Sequence, residues 1–197
     1  MLSESFYQRQ KVVTIARDLL GKVLVTRIQG QITAGLIVET EAYSWRERGC
    51  HAYNQRRTAR NEVMFGPGGR AYVYLCYGIH HLFNVVTNEA DRAEAVLVRA
   101  IEPVDGIDIM LRRTDSERLN RLTSGPGKLT RALGISRQHN GYSLLGDNIW
   151  LEDGVVLNPR MIDASPRIGI GYAGEDARLP WRFTVRGNSW VSVPPGH

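Results

Sequence analysis

The 197-residue chain is 43% hydrophobic and 23% charged, which excludes wholesale disorder and suits one folded domain, residues 1–197, with a sizeable core. No apolar run reaches the roughly 18 residues that a bilayer span needs, and the opening Met1-Leu2-Ser3-Glu4-Ser5 has no basic region leading into an apolar stretch, so neither a membrane partner nor secretion is expected. The net charge is +5, and because only Lys11, Lys22 and Lys128 are lysines, 22 of the 25 basic residues are arginine. That balance points to a polyanionic partner gripped through planar guanidinium groups, although a codon bias toward arginine produces the same count.

In chain order, the apolar spacing of Val12, Ile15 and Leu19 before Gly21 predicts a helix over about 8–20 with a glycine C-cap. A short strand over 22–27, a turn at Gly30 and a long strand over 32–43 come next. Residues 44–70 are polar, arginine-rich and close on Gly66-Pro67-Gly68-Gly69, a length of irregular chain that is usually functional or disordered. Strands over 71–76 and 79–86 flank Tyr77-Gly78 and predict a hairpin. A strand over 95–101 leads to Pro103, read as opening a helix to about Arg113. Residues 114–123 read as polar and exposed, and Ser124-Gly125-Pro126-Gly127-Lys128 as a loop into a short helix ending at Gly134. Short strands are expected near 149–152, 167–170, 182–186 and 190–193. The fold class is therefore α+β: a single domain with a mostly antiparallel, curved β-sheet, flanking helices and a protruding hairpin.

Alternation along the long strand places Ile37, Glu39, Glu41 and Tyr43 on one face. Two carboxylates so close in an apolar strand suggest chemistry, but on spacing alone an edge strand turning both to water is the favoured reading. Tyr72 and Tyr74 share a strand face and read as ordinary core aromatics or as a stacking surface. Tyr77, at a hairpin tip, suits insertion between flat partners. His51, His80, His81 and the two cysteines lack the spacing of a metal site, and no metal or cofactor is expected. The absence of a secretion signal predicts free thiols at Cys50 and Cys76. The Gly66–Arg70 stretch lacks the lysine and the following helix of a nucleotide-binding loop. The Ser124–Lys128 stretch opens a helix, whose free amides favour an anion, and a plain helix cap accounts for it as readily.

Taken together these segments resemble the alkyladenine (3-methyladenine) DNA glycosylase family of base-excision repair. The resemblance rests on Ile37–Tyr43, His51 with Arg57–Asn61 and Met64-Phe65, Tyr72–Tyr74 with Tyr77-Gly78 and Asn84, Val98–Pro103, Ser124–Leu129, Gly169–Glu175, and Arg182 through Val193, in order over nearly the whole chain. It implies that Glu41 is the general base preparing water, helped by Arg99 and the backbone carbonyl of Ile168. Tyr43, His51 and Tyr74 would wall the pocket for the extruded base, Tyr72 would steady His51, and Asn84 would clash with the guanine amino group. Tyr77 would be the wedge that fills the gap in the duplex. Arg56, Thr58, Arg60, Ile79, His80, Ser124, Gly125 and Lys128 would meet the DNA backbone. Gly49 and Cys50 replace alanines of the better-known vertebrate pattern, Ile79 a methionine and His80 a tyrosine.

The implied partner is double-stranded DNA containing damaged purines, acted on by a monomer in the cytoplasm, associated with the nucleoid if the source is bacterial. An electron-rich aromatic pocket would favour a cationic alkylpurine, and the absence of lysine from the matched pocket segments implies water as nucleophile and no lyase step. Two alternatives stand beside this reading. One is an inactive lesion- or nucleic-acid-binding module of the same fold. The other is a glycoside hydrolase using Glu39 and Glu41, whose Cα atoms in a strand would be about 6.5–7 Å apart.

Overall fold

The computed structural model describes residues 1–116 and 119–194. Among the described residues the chain forms one sheet of eight strands, in which every ladder is antiparallel. The strands are β1 (Val23–Ile28), β2 (Gln31–Ser44), β3 (Ala71–Cys76), β4 (His80–Thr87), β5 (Glu94–Asp105), β6 (Ile149–Glu152), β7 (Ile162–Ser165) and β8 (Arg182–Val185). The main path runs β3-β4-β5-β2-β1-β6, with β8 joining β2 to β7. Four α-helices flank the sheet: α1 (Glu4–Tyr7), α2 (Val12–Asp18), α3 (Ile107–Thr114) and α4 (Pro126–Leu133).

The 14-residue β2 organises the molecule. One of its edges pairs with β5 along most of its length. The other edge pairs first with β1, through Leu36, and then with β8, from Glu39 to Glu41. The carboxylate pair therefore sits where the second edge changes partner. Register shifts at Ile37/Glu39 and Glu39/Thr40 mark a bulge there. The bulge corrects the simple alternation: Ile37 packs in the main core with Ala42, opposite to Glu39, Glu41 and Tyr43. An extra residue in one strand reverses the facing of the residues beyond it.

The two sheet faces carry separate cores. Val73, Phe83, Val85, Val96 and Val98 join α2 and α4 residues such as Ile15, Ala16, Leu129 and Leu133 on one side. On the other, Tyr72, Val86 and Ala95 pack with Cys50, Ala52, Met64 and Phe65 of the 44–70 segment. That segment is thus an ordered cover with its own core, built on two short 3-10 turns at Tyr53–Gln55 and Glu62–Phe65.

Several expectations need correction. The helix expected over 8–20 is shorter, Val12–Asp18, because Lys11 is non-helical and fully buried Tyr7, the last residue of α1, is anchored by its carbonyl to the Asn88 amide at 2.8 Å. Gly68 is required there, since a Cβ on it would stand 2.6 Å from the Tyr7 carbonyl. Pro103 lies inside β5 opposite Gly35, next to a register shift that accommodates its missing N–H, and the helix begins only at Ile107, after Gly106 turns the chain at φ +67°. Leu122 and Thr123 are buried rather than exposed, and residues 117 and 118 of that stretch lie outside the described residues. The stretches 167–170 and 190–193 are not strands. Their amides serve carboxylates instead of a ladder: Ile168 donates to Glu41 and Ser192 to Glu39. Their apolar pattern suits a strand, but the polar groups of the sheet compete successfully for the backbone donors. β7, unanticipated, pairs with β8.

Candidate active site

Burying two carboxylates costs several kcal/mol apiece unless donors replace the lost water. Glu39 and Glu41 are both completely buried, and their donors differ in kind. Glu39 Oε1 accepts from Arg99 Nε (2.9 Å), Arg182 Nε (2.8 Å) and Ser192 Oγ (2.9 Å), and Oε2 accepts from the Ser192 amide (2.7 Å). Burial alone would raise its pKa, but Arg99, Ser192 and Arg182 together hold it below the ordinary value. Glu39 therefore clamps β2, β5, β8 and the C-terminal segment, a role that its sequence position left open. Its four donors, three of them on Oε1, suit a structural clamp better than acid–base work.

Glu41 is held more loosely. Oε1 accepts from the Ile168 amide at 2.7 Å, while Oε2 accepts from Tyr43 Oη at 2.7 Å and from Arg99 Nη1 at 3.4 Å. A carboxylate offers about four lone-pair positions, so one remains on Oε1. At Ile168 the contact formed is through the amide rather than the carbonyl. Burial, and then the neighbouring Glu41 charge, pushes the Tyr43 hydroxyl well above its usual pKa, which keeps it a donor.

Beside these groups opens a cavity of ≈ 470 Å³ lined by Tyr43, His51, Tyr72, Tyr74, Asn84, Arg99 and Ile168 among others. Glu41 lies just behind that wall. The His51 ring meets Tyr74 edge-on at 4.7 Å between centroids, and its Nδ1 lies 2.9 Å from Tyr72 Oη. Burial, with Arg60 second, lowers the His51 pKa to about 4, so the imidazole is neutral at physiological pH. Buried Asn84 donates from Nδ2 to the Tyr72 carbonyl at 3.0 Å. No lysine lines the cavity among the described residues.

The hairpin of β3 and β4 ends in a left-handed pair, Tyr77 (φ 49°) and Gly78 (φ 72°). Tyr77 is 89% exposed and Ile79 73%, an apolar tip turned to solvent at the edge of the cavity. His80 lies at the base of the tip against Gly127, where a Cβ would stand 2.8 Å from the ring, so the Ser124–Lys128 loop and the hairpin form one surface. Ser124 Oγ donates to the Val191 carbonyl at 3.3 Å, Gly125 takes φ +128°, and Lys128 is exposed on α4. Arg56 and Thr58 sit on an exposed turn tied together by Asn61, whose Nδ2 donates to the His51 and Arg56 carbonyls and whose Oδ1 accepts from the Thr58 amide. Neither residue lines the cavity. Arg60 does, with its guanidinium 5.2 Å over the Tyr74 ring centroid.

Sequence reasoning missed the Glu47–Arg167 pair. Arg167 Nη1 and Nη2 each donate to Glu47 at 2.7 Å, Nη1 also donates to the Ala42 carbonyl at 2.9 Å, and the guanidinium stacks 4.7 Å from the Tyr43 ring centroid. The pair fixes the loop that presents the Ile168 amide. It spans 120 residues, so no spacing rule reveals it. Tyr172, 69% exposed on the cavity rim with its hydroxyl 3.3 Å from the Gly49 carbonyl, was also missed.

Residues 5–189 match the methylpurine-DNA glycosylase family. Among similar proteins, one of Chlamydia abortus is 48% identical, with 94% of this chain and 98% of its own length covered. One of Carboxydothermus hydrogenoformans is 49% identical, with 98% of each covered, and one of Bacillus cereus is 45% identical, with 95% and 97% covered. All three are provisionally named 3-methyladenine DNA glycosylases. With nearly the whole length matched, the chain belongs to the methylpurine-DNA glycosylase family, hydrolases of N-glycosyl bonds in base-excision DNA repair.

Proposed function

We propose that the protein extrudes damaged purines from double-stranded DNA into the Tyr43–His51–Tyr74 cavity and hydrolyses the N-glycosidic bond with water activated by Glu41, leaving an abasic site. The observation that carries this reading is the unsaturated Glu41 carboxylate, buried immediately behind an aromatic cavity of ≈ 470 Å³. Extrusion costs a few kcal/mol, and stacking on aromatic walls returns about 1–3 kcal/mol per base. Tyr77 at the hairpin tip has the exposure needed to occupy the vacated stack. The sugar gains positive charge as the bond breaks, and the Glu41 carboxylate both stabilises it and takes a proton from water. Arg99 steadies Glu41 through the longest of the Glu41 hydrogen bonds, 3.4 Å, the one that yields most readily to an incoming water.

The substrates proposed are N-alkylpurines together with hypoxanthine or ethenoadenine. The enzyme acts as a monomer without a lyase step. Arg56, Thr58, Ser124, Gly125, Lys128, Ile79 and His80 form the DNA-facing surface on either side of the cavity. Strand-scission assays after alkali treatment of hypoxanthine-containing duplex test the reading. Wild-type protein should yield abasic product that is cut only on alkaline treatment, and cutting before alkali would contradict a water nucleophile.

A further inference from the structure

Arg60 and Arg99 line the cavity and Arg167 and Arg182 lie behind it, and they differ in what balances their charge. Arg167 behind Tyr43 is matched by the bidentate Glu47 carboxylate. Arg99 is matched by Glu39 and Glu41, and Arg182 shares Glu39. Arg60 stands apart. It lines the cavity with its guanidinium over the Tyr74 ring, and among the described residues no carboxylate forms an ion pair with it. Its field reaches the interior, since it is the cause after burial that holds the His51 ring neutral.

We propose that Arg60 determines substrate specificity: its unbalanced charge on the Tyr74 wall disfavours bases bearing a fixed positive charge and favours neutral purine lesions. The proposal rests on the reading of the cavity as the base pocket. An electron-rich tyrosine face attracts one cation well, and on Tyr74 the guanidinium is already that cation. An adenine alkylated at N3 carries a full positive charge, whereas hypoxanthine is neutral and offers acceptors to a guanidinium. At an effective dielectric of about 20, a like charge close to the base alters relative binding by more than tenfold, and solvent at the rim reduces this to about five- to tenfold. The aromatic cage that the sequence implies for cationic bases is present, but one of its faces is taken.

Arg60 as a simple phosphate contact predicts something else. Its loss would weaken every duplex alike and lower the salt slope by about one phosphate. Relative rates separate the two. Under single-turnover conditions, wild type, Arg60→Gln and Arg60→Lys are compared on hypoxanthine in a duplex and on 3-methyladenine released from methylated duplex DNA. Both bases lack the guanine amino group, so Asn84 does not enter the comparison. The ratio of hypoxanthine to 3-methyladenine excision should fall about five- to tenfold in Arg60→Gln and stay near the wild-type value in Arg60→Lys, which keeps the charge. An unchanged ratio in Arg60→Gln, however far both rates fall, overturns the proposal while leaving the glycosylase reading intact. A wild-type protein that releases neither base overturns the pocket reading, and this proposal with it.

Discussion

Glu39 accepts a 2.9 Å hydrogen bond from Arg99 Nε, and the same guanidinium reaches Glu41 with Nη1 at 3.4 Å. One carboxylate thereby aims the arginine that steadies the other. Glu39→Gln keeps the shape but leaves Arg99 and Arg182 short of a counter-charge in a buried site. Breaking a buried pair in this way costs about 3–5 kcal/mol. Thermal unfolding should show that loss in Glu39→Gln, while Glu41→Gln, which leaves Arg99 paired with Glu39, should lose less stability and lose activity instead. Equal stability of the two variants would deny Glu39 its clamping role.

The low pKa of Glu39 has a signed consequence. Its carboxylate is ionised in the native state at pH values where the unfolded chain binds a proton. Its stabilisation is therefore complete above the ordinary glutamate pKa of about 4.3 and is lost as pH falls below it. His51 acts in the same direction at higher pH. Its native pKa near 4 lies below an unfolded value of about 6.5, so stability declines as pH falls through that window. An NMR titration should place the His51 ring midpoint near 4, and Arg60→Gln should move it upward. A midpoint near 6.5 in the wild type would mean that the ring is neither buried nor facing Arg60.

The wedge is testable apart from the chemistry. Tyr77 is 89% exposed, so Tyr77→Ala should change stability by no more than about 0.5 kcal/mol. Loss of stacking worth about 1–3 kcal/mol should weaken binding to lesion duplex by roughly five- to a hundredfold. Cleavage of single-stranded substrate, which has no stack to refill, should change far less. Equal losses on both substrates would remove Tyr77 from any flipping step.

Glu47 and Arg167 form a bidentate pair at 2.7 Å beside the Ile168 amide and the Tyr43 ring. Glu47→Gln should lower stability by about 3–5 kcal/mol and slow excision by loosening the Ile168 loop. A double exchange of Glu47 and Arg167 for apolar residues should recover part of the stability without recovering the rate. Recovery of both would show the pair to be structural only.

Much of the fold was legible in the sequence, and the failures share a cause. The hairpin, the long β2 strand and the elements β1, β5, β6, β8 and α4 came from local pattern: alternating apolar residues and turn chemistry at Tyr77-Gly78 and Gly30. The grouping of Glu41, Tyr43, His51, Tyr74 and Arg99 came from the family resemblance, since spacing alone favoured a solvent-facing edge for Glu39 and Glu41. The hidden features were long-range: the bulge that turns Ile37 away from Glu39, the Glu47–Arg167 pair across 120 residues, and the segments near 168 and 192 whose amides serve carboxylates. Periodicity describes which face a residue takes, and carries no information about a partner more than a hundred residues away.

The most direct test of Glu41 as the base is a single-turnover comparison of wild type and Glu41→Gln on a duplex carrying one hypoxanthine, with affinity for the same duplex measured alongside. Wild type should convert the duplex to an abasic product. Glu41→Gln should bind as tightly and react at least about a hundredfold more slowly, the scale expected on loss of a general base. Wild-type rates in Glu41→Gln, or binding without product in both proteins, would contradict the account.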